Sequence, residues 1–300
     1  MDMTQNKCCR HGASLRRRRR RHRKILRFFI FSCSIIAVIV FVAVGSRMIT
    51  SGDGGTNRYD VEAGNNTYDN VVIENSKISE NNKIQNEQSM LDDIMNSTQY
   101  PKQLQELALK NEEALEFVYD YPAEHVKEHT IDLTEEASMD SVPLFVQWDK
   151  RWGYEKYSGN FFAASGCGPT TLSMVVVYLT HNRDASPLAV AKYSKEAGYS
   201  VDGSGSSWTL ISEGCRHYGV KAKTVALDES RMKAELDAGH PIVINVGPGD
   251  FTDTGHFMVI TGYDDEGFSI NDPNSIEKSG KRWLFKNISS QIRAVWSMYV

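Results

Sequence analysis

A run of eighteen residues without a single charge, FFIFSCSIIAVIVFVAVG from Phe28 to Gly45, limits what this chain can become more than any other stretch. About twenty apolar residues in a helix span a bilayer, where their side chains escape water and every backbone polar group is paired within the helix. The flank before the run sets its direction. The first 27 residues carry eleven Lys or Arg, including RRRRRRHRK at 16–24, against one acid, Asp2, so they sum to +10 while the rest of the chain sums to −14. Positive flanks stay cytoplasmic. Residues 1–27 are therefore expected as a basic cytoplasmic tail, 28–48 as a transmembrane signal-anchor, and all that follows as extracytoplasmic. The alternative is a signal peptide cleaved near the small residues Ala43 and Gly45, giving a secreted chain. Its apolar core would exceed the ~7 to 15 residues usual for such peptides, which favours the anchor. The arginine run reads as a topology signal and membrane-surface contact, with no nucleic-acid partner.

After the anchor, residues 49–98 are rich in Asn, Ser, Gly and acids, as in GNNTYDN and ISENNKIQNEQ, and have little apolar material to bury. They are expected as a disordered linker. Residues 99–141 are expected as a helical lead-in, because Leu104, Leu107, Ala108, Leu115 and Val118 recur at helical spacing and Pro101 suits a first turn. From Val142 the pattern changes. Helices are expected after Cys167, from Ser186 and Pro187 to before Gly198, and from about Trp208 to Tyr218. Strand signals follow at 221–227, 241–247, 256–263 and 268–271, with a short helix near 229–238. Helices followed by a mostly antiparallel sheet make residues 142–300 an α+β domain.

Only Cys167 and Cys215 lie beyond the anchor, so no disulfide framework exists, although one bridge between them is compatible with an oxidising exterior. In SGCGPTTLSM, Gly166 and Gly168 permit a tight backbone approach around Cys167, and Pro169 presets the helical dihedral. The thiol then stands at a helix N-terminus, where unpaired amides and the macrodipole favour an anion and lower its pKa. Cys215 instead shares a helix face with Ile211 and Tyr218 and reads as a packed side chain.

A thiolate nucleophile needs a base that later protonates the leaving amine, and histidine titrates in the right range. His181 and His217 lie near helix ends and His240 at a strand entrance, positions with ordinary structural roles. His256 opens the strand HFMVITGY after the loop GPGDFTDTG and is the first choice. Either Asn271 or Asp272 can orient its ring. If DDEG forms a three-residue hairpin loop, Asp272 lies opposite Ile260, on the face of His256, whereas Asn271 does not. That register leaves four residues between them, ~13 Å along the strand, a gap that only a bulge or twist closes. The carbonyl oxygen needs hydrogen-bond donors: the Cys167 amide and a side-chain amide, for which Gln147 is a candidate.

The ordered set VPLFVQWDKRWG, SGCGPTTLSMVVVYL, GSGSSWTLISEGCRHYG and GHFMVITGYDDEGFSINDP resembles the bacteriocin-processing-peptidase-like branch of the papain superfamily, especially its stand-alone bacterial surface members. The resemblance covers about 142–300. It implies a papain-like fold, with Cys167 as nucleophile, His256 as general base and acid, Asp272 as orienting group and Gln147 as oxyanion donor. Leader-trimming members of that branch are fused to exporters and act in the cytoplasm. Here no nucleotide-binding motif appears and the domain is expected outside, which argues against leader processing.

The expectation is a membrane-anchored cysteine peptidase acting on polypeptide, or alternatively on cell-wall peptides with the same triad. A noncatalytic surface binding module is the reading that a Cys167–Cys215 bridge would favour. No cofactor is expected. HVKEH places His125 and His129 four apart but offers no third ligand, so a solvated face is favoured over a metal site. GPGDFTDTG and DGSGSSW lack the setting of phosphate cradles and read as cleft-rim loops.

Overall fold

Period-two alternation dominates the second half of the chain and builds its sheet. In the computed structural model, which describes residues 66–300 with side chains from Ser79 onward, six strands pair antiparallel. They are β1 (Lys221–Thr224), β2 (Ile242–Val246), β3 (His256–Asp264), β4 (Gly267–Asn271), β5 (Arg282–Trp283) and β6 (Ile292–Tyr299), in the order β1-β6-β2-β3-β4-β5. The expected tail, the signal-anchor and the start of the linker lie outside the described residues. Among the described residues no helix is long and apolar enough to cross a membrane. Asn70–Val300 forms one compact unit.

Within the stretch 49–98, expected as a disordered linker, the described part is helical as α1 (Asn66–Asn96). No glycine or proline interrupts that stretch, and its last turns carry Met90, Leu91 and Ile94 on one face. Ile94 is fully buried, beside Leu104 and Leu107 of α2 (Lys102–Lys110). Tertiary packing at one end outweighs a polar composition. Pro101 caps α2 from outside, and Asn111 ends it in an extended conformation while accepting from the Glu113 amide. The rest of the lead-in is a series of short turns and helices that bury Leu115, Phe117 and Val118 in one cluster with Phe161 and Ala163.

α3 (Cys167–Thr180) is buried from Gly168 to Val177, as its unbroken apolar run requires. α4 (Pro187–Glu196) starts on the Ser186 hydroxyl, which accepts from the Ala189 amide. The single helix expected from 208 to 218 is broken at Glu213 into a turn at Thr209–Ser212 and a 3-10 turn at Gly214–Tyr218, where Gly214 fits against the Tyr199 ring. Gly219, at φ +78°, ends it in the left-handed conformation.

β2 is buried on both faces. Val243 joins Leu172, Val176, Phe257, Val259 and Trp296 between sheet and helices, whereas Ile242, Ile244 and Val246 face Met232 of α5 (Glu229–Asp237) on the far side. Each such side chain stabilises the fold by roughly 1.5–3 kcal/mol. The helical layer and the sheet are thereby held in fixed register, which sets the site between them. The resulting α+β architecture, helices against an antiparallel sheet, is the one the sequence implies. β6 was not foreseen, yet it pairs with both β1 and β2.

Candidate active site

Cys167 is the first residue of α3. Two close approaches explain its glycine neighbours. A Cβ on Gly166 would lie 2.4 Å from the Phe162 ring, and one on Gly168 would lie 2.5 Å from Ser206 Oγ. Both glycines therefore serve space rather than unusual dihedrals. Ser206 is itself held by Tyr157, whose hydroxyl lies 2.6 Å from Ser206 Oγ and 2.8 Å from Ser194 Oγ. The half-buried thiol titrates below its ordinary value of 9.0. Burial opposes the charge, but the His256 imidazole and the amides of Phe257 and Gly168 outweigh it.

His256 enters from the other layer at the start of β3, buried to 6% exposure. Its Nε2 lies 2.6 Å from Oδ1 of Asp272, which is completely buried, leaving Nδ1 for the thiol. The hairpin that joins them departs from the expected register. Asp264 pairs with Gly267 across a two-residue turn, and a bulge between Ile260 and Gly262 shifts the ladder again, so Val259 faces Asn271. Continued by one residue, this places Asp272 opposite Met258, two residues from His256 instead of four. The separation halves, and the parity that kept Asp272 on the histidine's face survives. Burial works against a charged His256, but the Asp272 carboxylate, and after it Cys167, raise its pKa from 6.5 to about 10. With Cys167 lowered, both directions favour a thiolate beside an imidazolium.

Asp272 Oδ1 also accepts from the Asn274 amide at 2.8 Å, while Oδ2 is buried without a protein partner among the described residues. Asn271 points elsewhere, donating to the carbonyls of Val142 and Pro143, both at 3.1 Å. Gln147 is buried beside the cleft, its amide nitrogen donating to the Ala163 carbonyl at 2.7 Å, its backbone tied to Pro273. A carboxamide nitrogen has two protons, so one remains for a ligand.

The bridge between Cys167 and Cys215 that the sequence left open is not formed. Cys167 and Cys215 are both free thiols, and Cys215 lies in the core, where burial pushes its pKa up to about 11. His181 faces the Ala137 carbonyl, His217 stacks on Tyr193, and His240 meets Glu235, all outside the site. His125 lies 2.5 Å from the Tyr121 carbonyl and His129 3.1 Å from that of Glu124. No group of three or more metal-ligating side chains occurs among the described residues.

Two residues of the lead-in brace the acid's loop and were not foreseen. Asn111 donates to the carbonyl (2.9 Å) and the side chain (3.1 Å) of Asn274. Glu113 accepts from the Ser275 hydroxyl and from the amides of Ile276 at 2.7 Å and Glu277 at 3.1 Å. No local motif signals contacts made across some 160 residues of chain.

Cys167 lies where two cavities meet. One, of ≈ 530 Å³, is bounded by α2, Gln147, His256 and the 249–255 loop. The other, of ≈ 680 Å³, is bounded by the 203–206 loop, Trp208, Asn245 and Arg293. Both expected rim loops therefore line the cleft.

A thiol at a helix start, a carboxylate-bound imidazole on the facing sheet and an open trough between them define a papain-like thiol hydrolase. The sequence profile of the Peptidase_C39 like family matches residues 139–300. The chain belongs to that family, the bacteriocin-processing-peptidase-like branch of the papain superfamily, and is a cysteine peptidase. No curated protein matches it. Among solved structures, the chain is similar to the peptidase domain of Streptococcus ComA, a bi-functional ABC transporter involved in a quorum sensing pathway. The two share 18% identity over 53% of this chain and 96% of that one, with a TM-score of 0.39. It is also similar to a C39-like peptidase from Bacillus anthracis, with 17% identity over 53% and 95% of the two chains and a TM-score of 0.34.

Proposed function

We propose that this peptidase is held at the outer face of the membrane by its N-terminal anchor and hydrolyses peptide bonds of polypeptide substrates there. In this reading Cys167 is the nucleophile, His256 the general base and acid, Asp272 the orienting acid, and Gln147 with the Cys167 amide the oxyanion donors. One observation carries it. The buried imidazole of His256 is bonded through Nε2 to a fully buried carboxylate, which leaves its second nitrogen for a thiol at the start of α3.

The Cys167 thiolate adds to the carbonyl carbon, and the oxygen's new charge is met by the Gln147 side-chain amide and the Cys167 backbone amide. As the C–N bond breaks, His256 gives its proton to the departing amine, and a thioester remains. Neutral His256 then takes a proton from the water that attacks the thioester. Collapse of that second adduct releases the acid and restores the thiolate beside the protonated ring.

A peptide vinyl sulfone tests the assignment: it is expected to label the full chain at Cys167, and Cys167→Ala is expected to abolish labelling. Persistent labelling of the variant would overturn it. Casein and purified cell wall, incubated separately with the enzyme, distinguish the substrate classes. Resistance to alkaline carbonate extraction tests the anchor, and loss of residues 1–45 from the mature chain would identify a cleaved signal instead.

A further inference from the structure

The half of the trough bounded by the 203–206 loop contains one charged side chain apart from Cys167 itself, that of Arg293. Arg293 is exposed and stands at the β-bulge of β6, where the pairing with β2 shifts between Ile292 and Ala294. A bulge re-aims a side chain that regular pairing would send elsewhere, and bulges concentrate beside active sites. The seat for the guanidinium is built by Gly247: a Cβ there would lie 2.7 Å from Arg293 Nε and 3.2 Å from Cζ, so any larger residue would displace it. Among the described residues no carboxylate pairs with Arg293, whose protein contact is the Ser290 carbonyl, reached by Nη1 at 3.1 Å. A guanidinium has five donors in a planar fork, and the remaining ones match a carboxylate in two-point contact. The other half of the trough carries Glu106, Asp250 and Asp253 with Lys110 and Lys278, so the two halves differ in charge.

From this we infer that Arg293 is a specificity residue of the cleft, binding the side chain of an Asp or Glu that lies on one side of the scissile bond. The inference rests on the peptidase reading above, and names the substrate feature that reading leaves open. Lysine would keep the charge but lose the fork, so Arg293→Lys is expected to retain part of the preference, and Arg293→Gln to lose it.

The full chain is incubated with a mixture of unstructured peptides of even composition, and the new termini are sequenced, which samples both sides of the cut. Sites with Asp or Glu within three residues on one side are expected to be enriched about tenfold over Asn or Gln, the worth of one charge-assisted contact. The enrichment is expected to shrink in high salt. Arg293→Glu is expected to invert the preference toward Lys and Arg, an outcome that a misfolded protein cannot give. Cys167-dependent cleavage without acidic enrichment, or an Arg293→Glu variant that keeps the wild-type preference, would overturn the inference alone. Absence of any Cys167-dependent cleavage would overturn the peptidase reading and this one with it.

Discussion

Replacing Asp272 by Asn tests the electrostatics of the site at its source, because it removes a charge while keeping the shape. His256 stands at about 10 against an ordinary 6.5, a rise worth roughly 5 kcal/mol in favour of the charged ring at 1.36 kcal/mol per pH unit. Burial opposes that rise, and among the groups that produce it the Asp272 charge and hydrogen bond outrank those of Cys167. Loss of Asp272 is therefore expected to lower the ring by about 1–3 pH units, the usual effect of an adjacent opposite charge. The pH profile of kcat/KM gives the readout. Wild type is expected to lose activity at alkaline pH through a limb near 10 as the coupled pair gives up its second proton, and at acid pH through a limb below 9.0 as the thiolate is protonated. In Asp272→Asn the alkaline limb is expected to fall by the same amount, with activity dropping about tenfold for each pH unit above the new limb. The raised ring contributes stability that is complete below pH 6.5 and lost as pH climbs through about 10. The Tm gap between variant and wild type should therefore narrow above that pH. An alkaline limb that stays within half a pH unit of wild type would refute the reasoning. Asn271→Ala is the control, since that side chain binds the Val142 and Pro143 carbonyls: it is expected to lower Tm and leave the limb in place.

Gly168→Ala forces a Cβ to within 2.5 Å of Ser206 Oγ, which is expected to cost about 1–3 kcal/mol in thermal unfolding; Ser206→Gly in the same chain should recover most of it. Iodoacetamide at pH 8 is expected to modify Cys167 and spare Cys215, whose thiol is buried and pushed up to about 11; peptide mapping by mass spectrometry decides this. Glu113→Ala leaves the amides of Ile276 and Glu277 without their acceptor, so it is expected to lower stability by about 1–2 kcal/mol and kcat more than KM, because the loop carrying Asp272 loosens. A fragment starting at residue 139 is expected to melt lower than the full chain, since it uncovers Phe161 and Ala163, which the lead-in buries; equal Tm values would refute that role for the lead-in.

What could be read from the sequence was what short-range chemistry decides. Gly-Cys-Gly-Pro marked the start of α3, Ser186 and Pro187 the start of α4, and a histidine opening a strand after a polar loop marked the facing layer. Parity alone singled out Asp272 over Asn271, and it survived because the shorter turn and the bulge each shift the ladder by one residue, two in all. The register itself was hidden, since nothing in DDEG distinguishes a two-residue from a three-residue turn. β6 escaped notice because IRAVWSMY lacks regular alternation; it is a strand because β1 and β2 flank it. α1 has a polar composition, and only the burial of Ile94 against α2 separates it from a solvated stalk. Arg293 belongs to the same class: its meaning depends on a bulge and on Gly247, neither of which spacing along the chain reveals.

The bracing of the Asp272 loop by Asn111 and Glu113 makes the helical lead-in a working part of the enzyme. A cut before Met90 would leave the catalytic unit together with its clasp. A cut after Glu113 would leave the family domain without the wall and clasp that the lead-in supplies, so the place of a single nick decides whether activity is kept or lost.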